Sequence, residues 1–344
     1  MTVAVIVGAT GTVGEDLRRI VAERDLPVDD VRLVASARSV GRPLTLRGRE
    51  VEVGPLEPEV FEGATIAFFS AGGAISREWA PVAAEHGAVV VDNSSAWRMH
   101  PEVPLVDADV NPEDAHQHPI GIVANPNCTT LTITPVLAVL RDLFGLIAIT
   151  PTSFQAAGGS GQRGMDELGE QAAKLIGDRE LLRRGGRPQA LPVGEVFPHP
   201  IAFNVVPQCM GFDEATGYTV EELKLRNEPR KILDLPELAS HPTCVRVPVM
   251  VGHSVSVRAV CEQPVDLDDF YDALLRAPGV TVLDNPAVGE YPTPLECAGT
   301  DGVFVGRIRA DLAEPNALLF WSVADNLRKG AALNAVQIGE ALLG

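Results

Sequence analysis

Val3-Ala4-Val5-Ile6-Val7-Gly8-Ala9-Thr10-Gly11-Thr12-Val13-Gly14 opens the chain with a short apolar, mostly β-branched run, followed by three glycines. The run has the length and content of a buried strand. Apolar residues at helical spacing over 14–24 then mark a helix, so the glycines stand at a strand-to-helix turn. Gly8 and Gly11 would let the backbone turn tightly and approach a pyrophosphate, while Gly14 would allow the helix to pack closely on the sheet. The spacing is GxxGxxG, a variant of the dinucleotide-binding fingerprint, with a plain tight turn as the alternative. Thr10, Thr12 and Val13 lie on the same turn and complete the expected phosphate-binding surface.

Further strands are expected at 31–35, 65–69, 88–91 and 121–124, and a second helix at 75–86, stopped by Gly87. Strands alternating with helices imply a parallel sheet, so the first part of the chain reads as a Rossmann-like, doubly wound α/β domain. The texture changes after Asn125. A helix is expected over 128–144, a strand over 146–150, a Gly-rich loop over 158–164 and a helix over 166–182. Strands at 245–251, 254–261, 303–311 and 318–323 would form a mostly antiparallel sheet, giving an α+β second domain. A final helix over 326–343 would pack back on the first domain. The expected boundaries are 1–127, 128–323 and 324–344, and residues 178–190 read as a variable exposed loop.

Composition narrows the function classes. The 344 residues carry 28 basic and 46 acidic side chains, a formal charge of −18, which repels a polyanion in the absence of a segregated basic face. Nucleic acid is therefore not an expected partner. The five cysteines are scattered without a CxxC pair, which suggests neither a disulfide framework nor a cysteine zinc site, and no metal site is expected. Neither a signal-like segment nor an apolar stretch of spanning length is present, so no membrane partner is expected and a reducing cytoplasm fits best.

The end of the second expected strand reads Ser36-Ala37-Arg38-Ser39. Two hydroxyls and a guanidinium, with no carboxylate to repel a 2′-phosphate, favour NADP, although Arg38 could equally be a solvated loop residue. Ser70-Ala71-Gly72-Gly73 follows the third strand and would line the same crevice. Asn125-Pro126-Asn127-Cys128 ends a strand and starts a helix, where the dipole would favour a thiolate at Cys128. A cysteine so placed is otherwise a buried small hydrophobe. Among seven histidines, His253 alone follows an expected strand with an arginine, Arg246, seven residues before it, and a thiol with an imidazole is a common pairing for nucleophilic catalysis.

Taken in order along the whole chain, the segments at 8–14, 35–39, 68–73, 92–99, 125–128, the Gln155 loop, 221–224, 246–254 and 325–337 resemble bacterial aspartate-β-semialdehyde dehydrogenases. The resemblance implies NADPH-dependent reduction of L-aspartyl-4-phosphate to L-aspartate 4-semialdehyde with release of inorganic phosphate, on the route to lysine, threonine and methionine. It implies a thioacyl intermediate on Cys128, His253 as general acid/base, Gln155 orienting substrate, Arg246 on its α-carboxylate and Glu221 on its ammonium. Arg98, Lys224 and Asn127 would hold the phosphate, Gly158 and Gly159 would lie against the nicotinamide, and Asn326 near its carboxamide. Without the resemblance, Glu221, Glu222 and Lys224 would read as a solvated charge run. One departure is visible: the family usually has serine where this chain has Gly158. A related family, the N-acetyl-γ-glutamyl-phosphate reductases, shares the glycine motif and the cysteine but has a different cysteine context. A homodimer is expected, with a tetramer as the alternative.

Overall fold

The computed structural model describes residues 1–184 and 194–344. Strand β1 (Val3–Val7) is buried at every position, as a central strand covered on both faces must be. Helix α1 (Thr12–Glu23) turns Gly14, Leu17, Ile20 and Val21 inward, and β2 (Asp30–Val34) pairs parallel to β1. A hairpin that the sequence did not suggest follows, β3 (Pro43–Leu46) and β4 (Arg49–Gly54), antiparallel to each other. Its two-residue turn, Arg47-Gly48, has both φ angles positive, the geometry that matches strand twist. Pro43 lies in the edge strand, where a missing N–H costs least. Strand β5 (Ile66–Phe69), helix α2 (Gly73–Glu85), β6 (Val89–Asp92) and β7 (Ile122–Ala124) complete the sheet in the order β3-β4-β2-β1-β5-β6-β7, parallel except for β3.

The helix expected over 128–144 is two helices, α3 (Cys128–Leu131) and α4 (Thr134–Phe144). Pro135 at the start of α4 explains the break, since its ring would clash with the carbonyl four residues back in a continuous helix. Strand β8 (Leu146–Gln155) runs five residues past the expected end, straight through Pro151. Helix α5 (Gln162–Leu175) begins earlier than expected. A separate α6 (Arg179–Arg184) replaces the described part of the loop expected over 178–190, and 185–190 lie outside the described residues. Helix α7 (Val220–Ile232) occupies the segment that resembled a charge run. It is closed by a capping box between Thr219 and Glu222, and its face Glu221, Leu225, Glu228, Ile232 is buried.

Strands β9 (Ala239–Ser240), β10 (Thr243–Arg246) and β11 (His253–Cys261), helix α8 (Leu267–Leu274), β12 (Val280–Val282), helix α9 (Pro294–Cys297), β13 (Val303–Ala310) and β14 (Ala317–Ala324) follow. The second sheet runs β10-β8-β11-β14-β13-β12, with β9 beside β8. Its long central pairings, β8–β11, β11–β14 and β13–β14, are antiparallel, while the outer strands pair parallel. The strand expected over 245–251 ends at Arg246.

The chain closes with a π-helical turn (Arg328–Leu333) and α10 (Asn334–Leu343), where one helix was expected. Leu333, Val336 and Ile338 share a core with Ile6, Leu17 and Ile66, so this segment is packed on the first sheet.

Candidate active site

Register places the first group of side chains. Gln155, at the end of β8, lies level with Arg246, at the end of β10. Strand β11 runs the opposite way, and its Ser254 pairs with Phe154, which leaves His253 beside Gln155 at the same end of the sheet. On the first sheet, β7 delivers Asn125, Asn127 and Cys128 to the carboxyl ends of the parallel strands. The two edges enclose a cleft of about 1000 Å³ whose walls include Cys128, Gln155, Glu221, Lys224, Arg246 and His253. Arg98, Asn127, Gly158, Gly159, Asn326, Thr12, Val13 and Gly72 line it as well.

The charged groups form a connected network. Glu221 accepts from Lys224 Nζ at 2.9 Å, from Asn127 Nδ2 at 2.9 Å and from Gln155 Nε2 at 3.4 Å. Burial alone would raise its carboxyl, but Lys224 and these hydrogen bonds, with Arg246 nearby, hold it at about 2. Lys224 also reaches Met210 Sδ at 3.0 Å. Arg98 pairs with Glu228 at 3.0 Å through Nη1, and its Nε and Nη2 donate to the carbonyls of Asn125 and Asn93. Glu228 also accepts the Asn127 backbone N–H at 2.7 Å. The sequence reading missed Glu228, although it stands seven residues after Glu221 on the same helix face.

Cys128 opens α3, yet its thiol is not lowered. Burial and the neighbouring Glu221 push it up to about 11, against the opposing pull of Lys224, Arg98 and Arg246. Helix α3 offers little to counter this, being a single turn whose first amides, Thr129 and Thr130, already donate to the Asn127 side chain. The free chain therefore presents a thiol at neutral pH.

His253 is fully buried. Its Nδ1 accepts the Ala156 backbone N–H at 3.1 Å, and the Ala156 carbonyl accepts from Arg246 Nη1 at 2.6 Å, so one peptide joins both side chains. Arg246 also lies over the Phe197 ring, 5.9 Å from its centre. Gly159 is wedged against the pair: a Cβ there would stand 2.9 Å from Arg246 Nη1 and 3.3 Å from His253 Nε2. At Gly158 a Cβ would meet the Met250 carbonyl oxygen at 2.8 Å, so serine could enter only with a backbone shift.

The glycine turn is built as a cradle. Gly8 has φ +90°, and a Cβ on Gly14 would lie 2.1 Å from the Gly8 carbonyl oxygen. A Cβ on Gly8 would come within 2.4 Å of the Ser70 carbonyl oxygen, so both glycines are required by close backbone approach. Gly11 precedes α1 without a side-chain cap, which leaves amides for an anion. The residues Ser36, Arg38 and Ser39 stand on a short turn after β2, outside the main cleft walls, with Arg38 exposed. That turn is tied to the first one by a hydrogen bond of 3.3 Å between Thr10 and Ser39. At the other end of the cleft, Asn326 accepts the Gly252 N–H at 2.9 Å while its buried Nδ2 has no partner among the described residues. These features fit a dinucleotide laid across the carboxyl ends of the strands.

Comparison with known proteins bears directly on this arrangement. Residues 3–118 match the model of the semialdehyde dehydrogenase NAD-binding domain, and residues 137–329 that of the semialdehyde dehydrogenase dimerisation domain. An aspartate-semialdehyde dehydrogenase of Streptomyces akiyoshiensis is 48% identical over 97% of this chain and 96% of its own, and one of Aquifex aeolicus is 45% identical over 98% and 97%. The crystal structure of aspartate semialdehyde dehydrogenase II from Vibrio cholerae superposes with a TM-score of 0.92 at 40% identity, covering 99% of this chain and 98% of that one. A second structure of the Vibrio cholerae enzyme, described as complexed with ASA, matches with a TM-score of 0.92 at 39% identity over 100% and 98%. The chain belongs to the aspartate-semialdehyde dehydrogenase family, as an oxidoreductase with a nicotinamide-dinucleotide-binding domain of Rossmann type.

Proposed function

We propose that the chain reduces L-aspartyl-4-phosphate to L-aspartate 4-semialdehyde and phosphate, reversibly, with NADPH, through a thioacyl intermediate on Cys128. The observation that carries this reading is the convergence of Cys128, His253, Arg246, Gln155 and Glu221 on one cleft beside the glycine turn. Their charges complement an amino-acid acyl phosphate. Arg246 offers a fork for the α-carboxylate, Glu221 a carboxylate for the ammonium, and Gln155 a carboxamide to orient the chain between them. Arg98, Lys224 and the Asn127 side chain supply donors for the phosphate, a positive pocket within a body of net charge −18.

The Cys128 sulfur attacks the acyl carbon and the phosphate leaves toward Arg98 and Lys224. When bound, NADPH would supply the hydride. The Nδ2 of Asn326, which has no partner among the described residues, would hold the carboxamide of the nicotinamide, with Gly158 and Gly159 against its ring, and Ser36, Arg38 and Ser39 would face the 2′-phosphate. Gly8, Gly11, Gly14, Thr10, Thr12, Val13, Ser70 and Gly72 would cradle the remainder. His253 is the acid/base group facing the reacting carbonyl.

In this reading residues 1–127 bind the cofactor, 128–323 carry catalysis and dimerisation, and 324–344 return to the first domain. A homodimer would form through the second sheet, whose outer surface carries an open depression of about 330 Å³ lined by Tyr291, Arg307, Arg309 and Trp321. The activity belongs to cytoplasmic synthesis of lysine, threonine and methionine. Cys128→Ser is the test of the covalent route: it should keep NADPH binding and lose turnover by orders of magnitude, and near-normal turnover would remove Cys128 from its role.

A further inference from the structure

Lys231 stands in the last turn of helix α7, three residues after Glu228, and reaches the loop that follows β6. Its Nζ donates to the backbone carbonyls of Arg98 at 2.8 Å, His100 at 2.8 Å and Val103 at 2.6 Å. An ammonium has three N–H donors, so all of them are used on one short stretch of backbone. Burial works against the charge, lowering its pKa, and no neighbouring carboxylate among the described residues offsets that effect. The carbonyls are what hold the ammonium there.

The stretch needs an outside hold. Residues 98–103 form neither helix nor strand, and Met99 is exposed. Their backbone hydrogen bonds are two turns, His100 N–H to the Trp97 carbonyl at 2.9 Å and Val103 N–H to the His100 carbonyl at 3.2 Å. Among the described residues, the carbonyls of Arg98 and Val103 have Lys231 as their one partner. The side chain that springs from this stretch is a candidate for binding phosphate. Of the N–H donors of Arg98, Nε serves the Asn125 carbonyl, Nη2 the Asn93 carbonyl and Nη1 Glu228, which leaves one donor on each terminal nitrogen of a residue that lines the cleft. Two donors on a planar fork match two oxygens of a phosphate only while both ends of the side chain stay in place. The three acceptors fix the guanidinium end, and Lys231 fixes the backbone end.

We infer that Lys231 is a positioning residue for phosphate: by gathering the Arg98, His100 and Val103 carbonyls on one ammonium, it holds the Arg98 backbone where the two remaining guanidinium donors face the anion. This role rests on the reading above that Arg98 holds phosphate. Lys231 itself does not line the cleft, so it acts only through Arg98.

The test is steady-state kinetics of the whole enzyme in the direction that consumes phosphate, with aspartate semialdehyde and NADP. Lys231→Met keeps an unbranched stem and removes the donors. Its KM for phosphate should rise about tenfold while its KM for NADP moves by less than about twofold, since a small misplacement of a binding group is costly at that group's own ligand. A lysine that only supported the fold would shift both constants alike or neither, and either pattern would overturn the positioning role. Arg98→Lys separates that role from the reading beneath it. An unaltered phosphate KM in Arg98→Lys would sink the phosphate reading itself; a raised one there, with no change in Lys231→Met, would sink the positioning role alone. In the Arg98→Lys background, Lys231→Met should change the phosphate KM by less than about twofold, because two residues acting on one contact are not additive. An undiminished effect there would also overturn the role. Should Lys231→Met not fold, Lys231→Gln, which keeps two donors, takes its place, and failure of both to fold would make the lysine a support of the fold and overturn the role given it here.

Discussion

Arg98 and Glu228, 130 residues apart in sequence, form a buried ion pair 3.0 Å long that ties helix α7 to the loop after β6. The other oxygen of Glu228 holds the Asn127 N–H at 2.7 Å, immediately before Cys128. One carboxylate therefore sets the position of a phosphate-binding candidate and of the nucleophile's backbone. Removing it leaves Arg98 charged, buried and short of a partner. Glu228→Ala is expected to cost about 3–5 kcal/mol in chemical denaturation and to raise the KM for phosphate more than the KM for NADP. A loss below 1 kcal/mol with unaltered phosphate KM would show that the pair contributes little.

Cys128 reactivity should follow its raised pKa. Only the thiolate is alkylated, so with a thiol at about 11 the iodoacetamide rate at Cys128 should climb about tenfold per pH unit through pH 9. The rate is read as the difference between the parent and Cys128→Ser. A plateau near pH 8 would mean that the thiol is not raised in the free chain.

Glu221 gives a stability signature in acid. Its folded-state value of about 2 lies below the ordinary 4.5, so its contribution is present above about pH 4.5 and is lost as pH falls through about 2. The stability gap between the parent and Glu221→Gln should accordingly shrink across that window. Denaturant midpoints measured at several pH values would show it, and a gap independent of pH would contradict the pairing with Lys224 and Asn127.

Gly330 lies in the π-helical turn against the nucleophile. An added Cβ would stand 2.8 Å from Cys128 Cβ and 3.1 Å from its Cα, where neither side has a flexible end to yield. Gly330→Ala should lower stability by about 1–3 kcal/mol and displace Cys128 enough to cut kcat by at least about tenfold. Gly177→Ala, at a site where a Cβ meets nothing within 4 Å, should leave kcat unchanged and serves as the control.

The parallel sheet was legible because β1, β5, β6 and β7 are largely apolar runs buried on both faces, and that pattern survives without tertiary context. The β3–β4 hairpin was not read although Leu44-Thr45-Leu46 and Glu50-Val51-Glu52-Val53 alternate, because each alternating run is only three or four residues long. Pro151 hid the second half of β8, and Pro135 split one helical pattern into two. At the site, Cys128 and His253 stood out through their flanking strands, and the whole set emerged only through the resemblance. Glu221 reads as part of a solvated charge run and Glu228 draws no notice, because their partners Asn127 and Arg98 lie far away in sequence. The state of Cys128 was misjudged for the same reason: burial and the carboxylate of Glu221 are tertiary facts, and they outweigh a one-turn helix.

The central claim is the reaction itself, and it is tested most directly in the oxidative direction by following nicotinamide absorbance. The enzyme is given NADP, phosphate and either L-aspartate 4-semialdehyde or N-acetyl-L-glutamate semialdehyde, with NAD in parallel. Rapid reduction of NADP with the first aldehyde alone, abolished when phosphate is omitted, is the predicted result. Turnover confined to the acetylated aldehyde, or no turnover of either while NADP still binds, would contradict it.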